Sequence, residues 1–259
     1  MSKKLQNQII IGVFNNKGGV GKSTTVNSVA SKLAQDGYQT LIIDADSQSH
    51  QSKYFDQKNL PAGKLEDYII NQTKITTDNI QSDIPNLYLL SNKKEITSST
   101  FASFDALDRN YAIKNIIPDN EFDFILLDLP PTLDLPAINC LLACDYVLSP
   151  VEYSELSKDG LLNLVGAIKK IQSHNTNLQF LGCFGSRVNN SFKNTQEFRA
   201  FYQEYPDIFF KSEISQNQSF TNLPKINQNI FQGSDIAARI QITTLVDEIK
   251  SKIIKLQSK

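Results

Sequence analysis

Short apolar runs rich in β-branched residues alternate along this chain with longer amphipathic stretches. Ile9 to Phe14 reads as a buried strand. Ser23 to Asp36 carries Val26, Val29, Ala30 and Leu33 at helical spacing, and Gly37 stands where a helix ends on glycine. Thr40 to Ile43, ending at Asp44, predicts a second strand, Asn86 to Leu90 a third and Phe122 to Leu127 a fourth; Tyr146 to Leu148 and Phe180 to Phe184 predict two more. Helical patterns cover Phe104 to Ile117, Leu135 to Cys144 and Leu156 to Ser173, and Ile236 to Leu256 predicts a long final helix with room for one break. Gln48 to Asp83, rich in Gln, Asn, Thr and Lys, predicts short helices and loops inserted after the second strand. Continuous apolar strands separated by helices imply an α/β fold, with a mostly parallel twisted sheet and helices on both faces.

Composition narrows the classes. The 259 residues suit a single α/β domain over 1–259, and 40% hydrophobic with 20% charged residues excludes a disordered or fibrous chain. No apolar run reaches the ~18 residues of a membrane span, and the polar start followed by Ile9 to Phe14 is too short for a signal peptide, so a cytoplasmic protein is expected. Cys140, Cys144 and Cys183 are too few for a disulfide framework; the spacing of the first two could place them on one helix face, where buried thiols are expected rather than a metal site. A net charge of −1 excludes a generally basic protein and leaves room for a local basic patch.

The chemistry concentrates in Asn16-Lys17-Gly18-Gly19-Val20-Gly21-Lys22-Ser23-Thr24, which follows a strand and opens a helix. Gly18, Gly19 and Gly21 let backbone N–H groups turn towards phosphate oxygens, and the helix adds its positive end. Lys22 reaches the β- and γ-phosphates, and the Ser23 hydroxyl is the expected Mg²⁺ ligand. The strict pattern places Gly where this chain has Asn16, and a second lysine, Lys17, follows it. Asp44 and Asp46 end the second strand two residues apart, facing the ligand crevice of an open α/β sheet. Asp128 ends another apolar strand before Pro130-Pro131 and can hold Mg²⁺ through water opposite Ser23.

Lys-Gly-Gly-Val-Gly-Lys-Ser-Thr resembles the deviant Walker A motif of the ParA/MinD ATPases, most closely the ParA/Soj-type partition ATPases, which have a P-loop NTPase-like fold. The resemblance implies that ATP is bound by residues 17–24, and that Lys17 reaches phosphate on the other subunit of a dimer. Asp44-Ala45-Asp46-Ser47-Gln48 resembles the family's switch I motif, Asp-x-Asp-Pro-Gln. It implies that Asp46 positions the attacking water and that Asp44 sits nearer the metal. Ser47 replaces the proline and Ser49-His50 the usual Gly-Asn, which predicts a looser loop because serine does not fix φ. Asp128-Leu129-Pro130-Pro131 resembles the Walker B segment, with residues 129–134 as switch II. Further on, 181–189 and Ile214 to Phe220 resemble segments that border the base, making Arg187 and Asn217 candidate base contacts.

The similarity runs from Ile9 to about Ile254, with its specific motifs in the first half. The chain starts almost directly on the first strand, so no N-terminal helix-turn-helix domain is expected. The implied protein is a nucleoid-associated switch that dimerises with ATP and binds DNA nonspecifically. It positions a plasmid or chromosome and hydrolyses ATP slowly under a centromere-binding, ParB-like partner. Candidate DNA contacts are Arg187, Lys193, Arg199, Lys211, Lys225, Lys250, Lys252 and Lys255. Two rivals share the fold. A MinD-like membrane switch would lay the interleaved tail Ile249 to Gln257 on lipid, whereas packing of that helix on the sheet explains its apolar positions more cheaply. A nitrogenase-type reductase needs a cysteine just beyond the switch strands, and Asp128 to Thr132 offers none; an amidoligase needs a substrate pocket the sequence does not display.

Overall fold

The computed structural model describes residues 7–56, 58–92, 96–102, 104–105, 108–153, 158–189 and 202–258. Seven strands form one sheet: β1 (Ile9–Val13), β2 (Thr40–Asp44), β3 (Leu87–Leu90), β4 (Phe124–Asp128), β5 (Tyr146–Val151), β6 (Gln179–Val188) and β7 (Phe209–Ser215). Their order is β3-β2-β4-β1-β5-β6-β7, and every neighbouring pair is parallel. The strand residues divide by the period of two. Leu41, Ile43, Ile125 and Leu127 enter one apolar core, while Ile42, Phe124 and Leu126 enter the other.

Helices cover both cores. On one face lie α2 (Leu65–Asn71), α3 (Ala112–Ile116), α4 (Leu135–Ala143) and α5 (Lys158–Gln172). Leu161, Leu164, Ile168 and Ile171 are the core-facing stripe of α5. On the other face lies α1 (Lys22–Gln35), which buries Val26, Val29, Ala30 and Leu33. The short α6 (Gln218–Asn222) leads to α7 (Ile236–Gln257), whose Ile242, Leu245, Val246, Ile249 and Ile253 pack in the same core. That helix runs without the break the sequence allowed. All three cysteines are buried and free.

Two sequence readings change, and the expectation of short helices and loops over Gln48 to Asp83 holds. The helix expected over Phe104 to Ile117 is a 3-10 turn at Asp108–Asn110 followed by α3. The Asp105 carboxylate accepts the Asp108 N–H at 3.0 Å, and Tyr111 leaves helical geometry at φ −116° and ψ 9°, so the two turns do not merge. β7 was not predicted; it is an edge strand in which Lys211 and Glu213 interrupt the apolar residues. Gln48 to Asp83 holds a 3-10 turn at Gln51–Tyr54, α2 and a 3-10 turn at Thr77–Asn79. Because β2, β4 and β1 are adjacent, the loops after Asp44, Asp128 and Val13 emerge side by side.

Candidate nucleotide site

The loop between β1 and α1 is shaped by left-handed glycines. Gly19 has φ 79° and Gly21 φ 94°, conformations a side chain would strain. Gly21 caps α1 without any side-chain bond, so the first N–H groups of a 14-residue helix remain available to an anion. A Cβ on Gly18 or Gly19 would project into open space, the space a phosphate cradle needs. Two residues hold the loop, through three hydrogen bonds. Asn15 donates to the Pro150 carbonyl at 2.8 Å and accepts the Lys17 N–H at 3.0 Å, and Arg187 donates to the Gly19 carbonyl at 3.1 Å.

Lys22 is buried, and its ammonium donates to the Lys17 carbonyl at 3.1 Å. Burial lowers its pKa from the usual lysine value; Asp128 and then Asp46 oppose that shift. With Ser23, Thr24, Asp46, Pro130 and Pro131 it lines a cavity of about 800 Å³. Lys17 is absent from those walls: it is exposed and lines a small recess with Asn16, Val20 and Glu152.

Asp44 and Asp128 are wholly buried and pair in register across β2 and β4. Burial pushes the Asp128 carboxyl up to about 6, against hydrogen bonds from Gln51 and Ser23. Burial, then the charge of Asp128, raises Asp44 well above the carboxylate range. Both Asp44 oxygens already serve the following loop: Oδ2 accepts the Gln51 N–H at 2.9 Å and Oδ1 the Asp46 N–H at 3.3 Å. Asp128 keeps Oδ1 buried and without a partner among the described residues. This open hard oxygen beside the Ser23 hydroxyl fits a Mg²⁺ site. Among the described residues no three His, Cys, Asp or Glu side chains cluster as a ligand set, so phosphate oxygens would supply the remaining ligands.

The loop after β2 is pinned where looseness was expected. Ser49 takes the left-handed conformation at φ 47° and its hydroxyl donates to the Asn92 amide oxygen, while Asn92 donates to the Asp46 carbonyl at 2.9 Å. Asp46 Oδ1 accepts the Gln48 N–H at 3.0 Å. Sequence reasoning missed three neighbours: Gln51, buried against Asp128, and His50 and Lys53, which line the cavity. Burial first, and Lys53 next, hold His50 below the usual imidazole value. Only their closeness to the switch-like motif pointed to them.

A second cavity of about 380 Å³ shares Gly19, Gly21, Thr24 and Tyr54 with the first. Arg187 and Asn217 both line it. Asn217 spends its amide on structure, accepting the Ser219 N–H at 2.9 Å and donating to Asp235 at 2.6 Å. Arg187 also faces Glu152 at 3.7 Å.

The candidate DNA contacts differ in what already holds them. Lys252 donates to the Leu181 carbonyl at 3.0 Å and lies 4.0 Å from the Phe210 ring centroid, so its charge is spent on packing. Lys250 is paired with Asp36 at 3.3 Å and Asp247 at 3.0 Å. Lys211 and Lys255 are exposed on the packed pair β7 and α7. Lys225 is next to Pro224, which lines both cavities. Lys193 and Arg199 lie outside the described residues. Among the described residues no helix is long and apolar enough to cross a membrane.

A family model described as an AAA domain matches residues 8–180. The chromosome-partitioning ATPase Soj of Treponema pallidum is 30% identical over 220 residues, covering 81% of this chain and 84% of that protein. The crystal structure of a putative plasmid partition protein from Borrelia burgdorferi bound to AMPPNP has a TM-score of 0.75 at 21% identity, covering 95% of this chain and 99% of that one. Cobyrinic acid a,c-diamide synthase from Mycobacterium smegmatis, solved with ADP and magnesium, has a TM-score of 0.67 at 21% identity, covering 85% and 92%. At these identities the two solved structures share the fold and no more. The family model over two thirds of the chain and the Soj relative together make this chain a member of the ParA/MinD-type ATPase family.

Proposed function

We propose that this chain is a single-domain, Mg²⁺-dependent ATPase that acts as a dimerising switch. In this reading it is cytoplasmic and nucleoid-associated. The ATP-bound homodimer holds DNA nonspecifically to position a plasmid or chromosome. A ParB-like, centromere-binding partner stimulates slow hydrolysis. The observation that carries the reading is the pair of adjoining cavities that share Gly19 and Gly21 of the glycine loop, the larger one lined by Lys22, Ser23 and Asp46. The Soj relative, named a chromosome-partitioning ATPase, supports the biological role.

Each residue then has a task. The Lys22 ammonium and the N–H groups of residues 18–23 bind the phosphates. Ser23, and Asp128 through water, would hold Mg²⁺, which would supply charge neutralisation to the phosphates. Asp44 ties the switch loop to β2 from beside that shell. Asp46, on the wall of the phosphate cavity, orients the attacking water. Lys17, outside its own cavity, serves a phosphate on the partner subunit in this scheme. The DNA surface falls to Arg187, Lys211, Lys225 and Lys255, with Lys193 and Arg199. The membrane alternative is weakened because Val246, Ile249 and Ile253 of the tail helix are buried.

Size-exclusion chromatography with ATP and Mg²⁺ tests the scheme on three proteins. Wild type dimerises. Lys22→Ala stays monomeric because it loses a charge-assisted bond, and its ATP affinity falls at least about tenfold. Lys17→Ala binds ATP and stays monomeric. A Lys17→Ala protein that dimerises as wild type does would refute the trans role.

A further inference from the structure

Gln51 opens a short 3-10 turn in a polar segment, yet it is wholly buried. Its backbone N–H donates to Asp44 Oδ2 at 2.9 Å, and its Nε2 donates to the Ser23 carbonyl at 2.9 Å and to Asp128 Oδ2 at 2.8 Å. Both amide hydrogens thus meet oxygens that can only accept, which fixes the orientation of the amide. One residue therefore joins the chain ends that emerge after β1, β2 and β4.

Two acceptors in this knot have no partner among the described residues: Gln51 Oε1 and Asp128 Oδ1, both buried. Burying an open acceptor is costly, and two in one knot beside a cavity call for a partner such as a cation or a ligand. A carboxylate with one oxygen held by an amide and the other left open is how an outer-shell partner prepares a metal-binding acid.

We propose that Gln51 is a positioning residue for the divalent cation: by holding Asp128 Oδ2 it keeps Oδ1 free for the cation shell beside Ser23. The inference rests on the ATP and Mg²⁺ reading above. The turn that begins with Gln51 carries Lys53 into the phosphate cavity and ends at Tyr54, whose hydroxyl lies 3.1 Å from that of Thr24.

The test is Mn²⁺ binding, followed by electron paramagnetic resonance, to wild type, Q51M and Q51A in saturating ADP. ADP affinity in EDTA is measured alongside, and circular dichroism confirms folding. Q51M keeps the length and fills the volume while removing both donors; Q51A is the second variant. Mn²⁺ affinity is expected to fall about 10- to 100-fold, while metal-free ADP affinity stays within about twofold. Unchanged Mn²⁺ affinity in a folded variant, or an equal loss of metal-free ADP affinity, would overturn the proposal. Wild type that binds no ADP at all would overturn the nucleotide reading, and this inference with it.

Discussion

Asp44 and Asp128 stand opposite each other on paired strands with no exposure to solvent, an arrangement that favours the protonated form of at least one. The sign of the consequence follows from the direction of the shift. Burial lifts Asp128 from 3.8 to about 6, so the folded chain holds a proton that the unfolded chain has already released. The cost to folding is absent below the unfolded value, grows as pH rises and is complete above about 6. In EDTA without nucleotide, the stability of wild type relative to Asp128→Asn should fall by on the order of 2–3 kcal/mol between about pH 4 and pH 7. Urea denaturation at a series of pH values measures it, and parallel curves for the two proteins would contradict the burial account. Lys22 feels the same group of acids: Asp128, then Asp46, favours its charged form against burial.

At the scale of elements, α7 is a core helix with its apolar face against the sheet and α1. Truncating Ile249, which is 1% exposed, should cost about 2–5 kcal/mol, measured by denaturant unfolding. A loss below about 1 kcal/mol would instead fit a tail held off the sheet. Elements of this kind were legible because burial on two faces leaves strands apolar throughout, and burial on one leaves helices with a stripe. β7 was not, because an edge strand carrying Lys211 and Glu213 shows little of either signal. The false helix over Phe104 to Ile117 arose from core residues of separate turns that happen to fall at helical spacing. In the site, the glycine loop and the acids at strand ends were legible because backbone conformation and charge demand those residue types. Gln51 was not, since nothing in a polar stretch marks which amide the fold will bury. Nor could sequence show that Lys250 and Lys252 are occupied by partners from distant elements.

For the molecule as a whole, a net charge of −1 gives a monomer no general attraction to nucleic acid. DNA affinity should therefore appear only with ATP, when dimerisation doubles a local patch, and log affinity should fall linearly with log salt at a slope of about −0.9 per phosphate neutralised. Gel-shift assays on unrelated duplexes with ATP, with ADP and across salt check this; binding indifferent to nucleotide would contradict it. The glycine loop has a kinetic consequence of its own. Asn15 fastens it to the end of β5 and Arg187 to the end of β6. A nucleotide therefore meets amide hydrogens already aimed, and little of its binding energy is spent on ordering chain. Substitutions that loosen the loop should then shorten the dwell time of the ligand more than they slow its arrival.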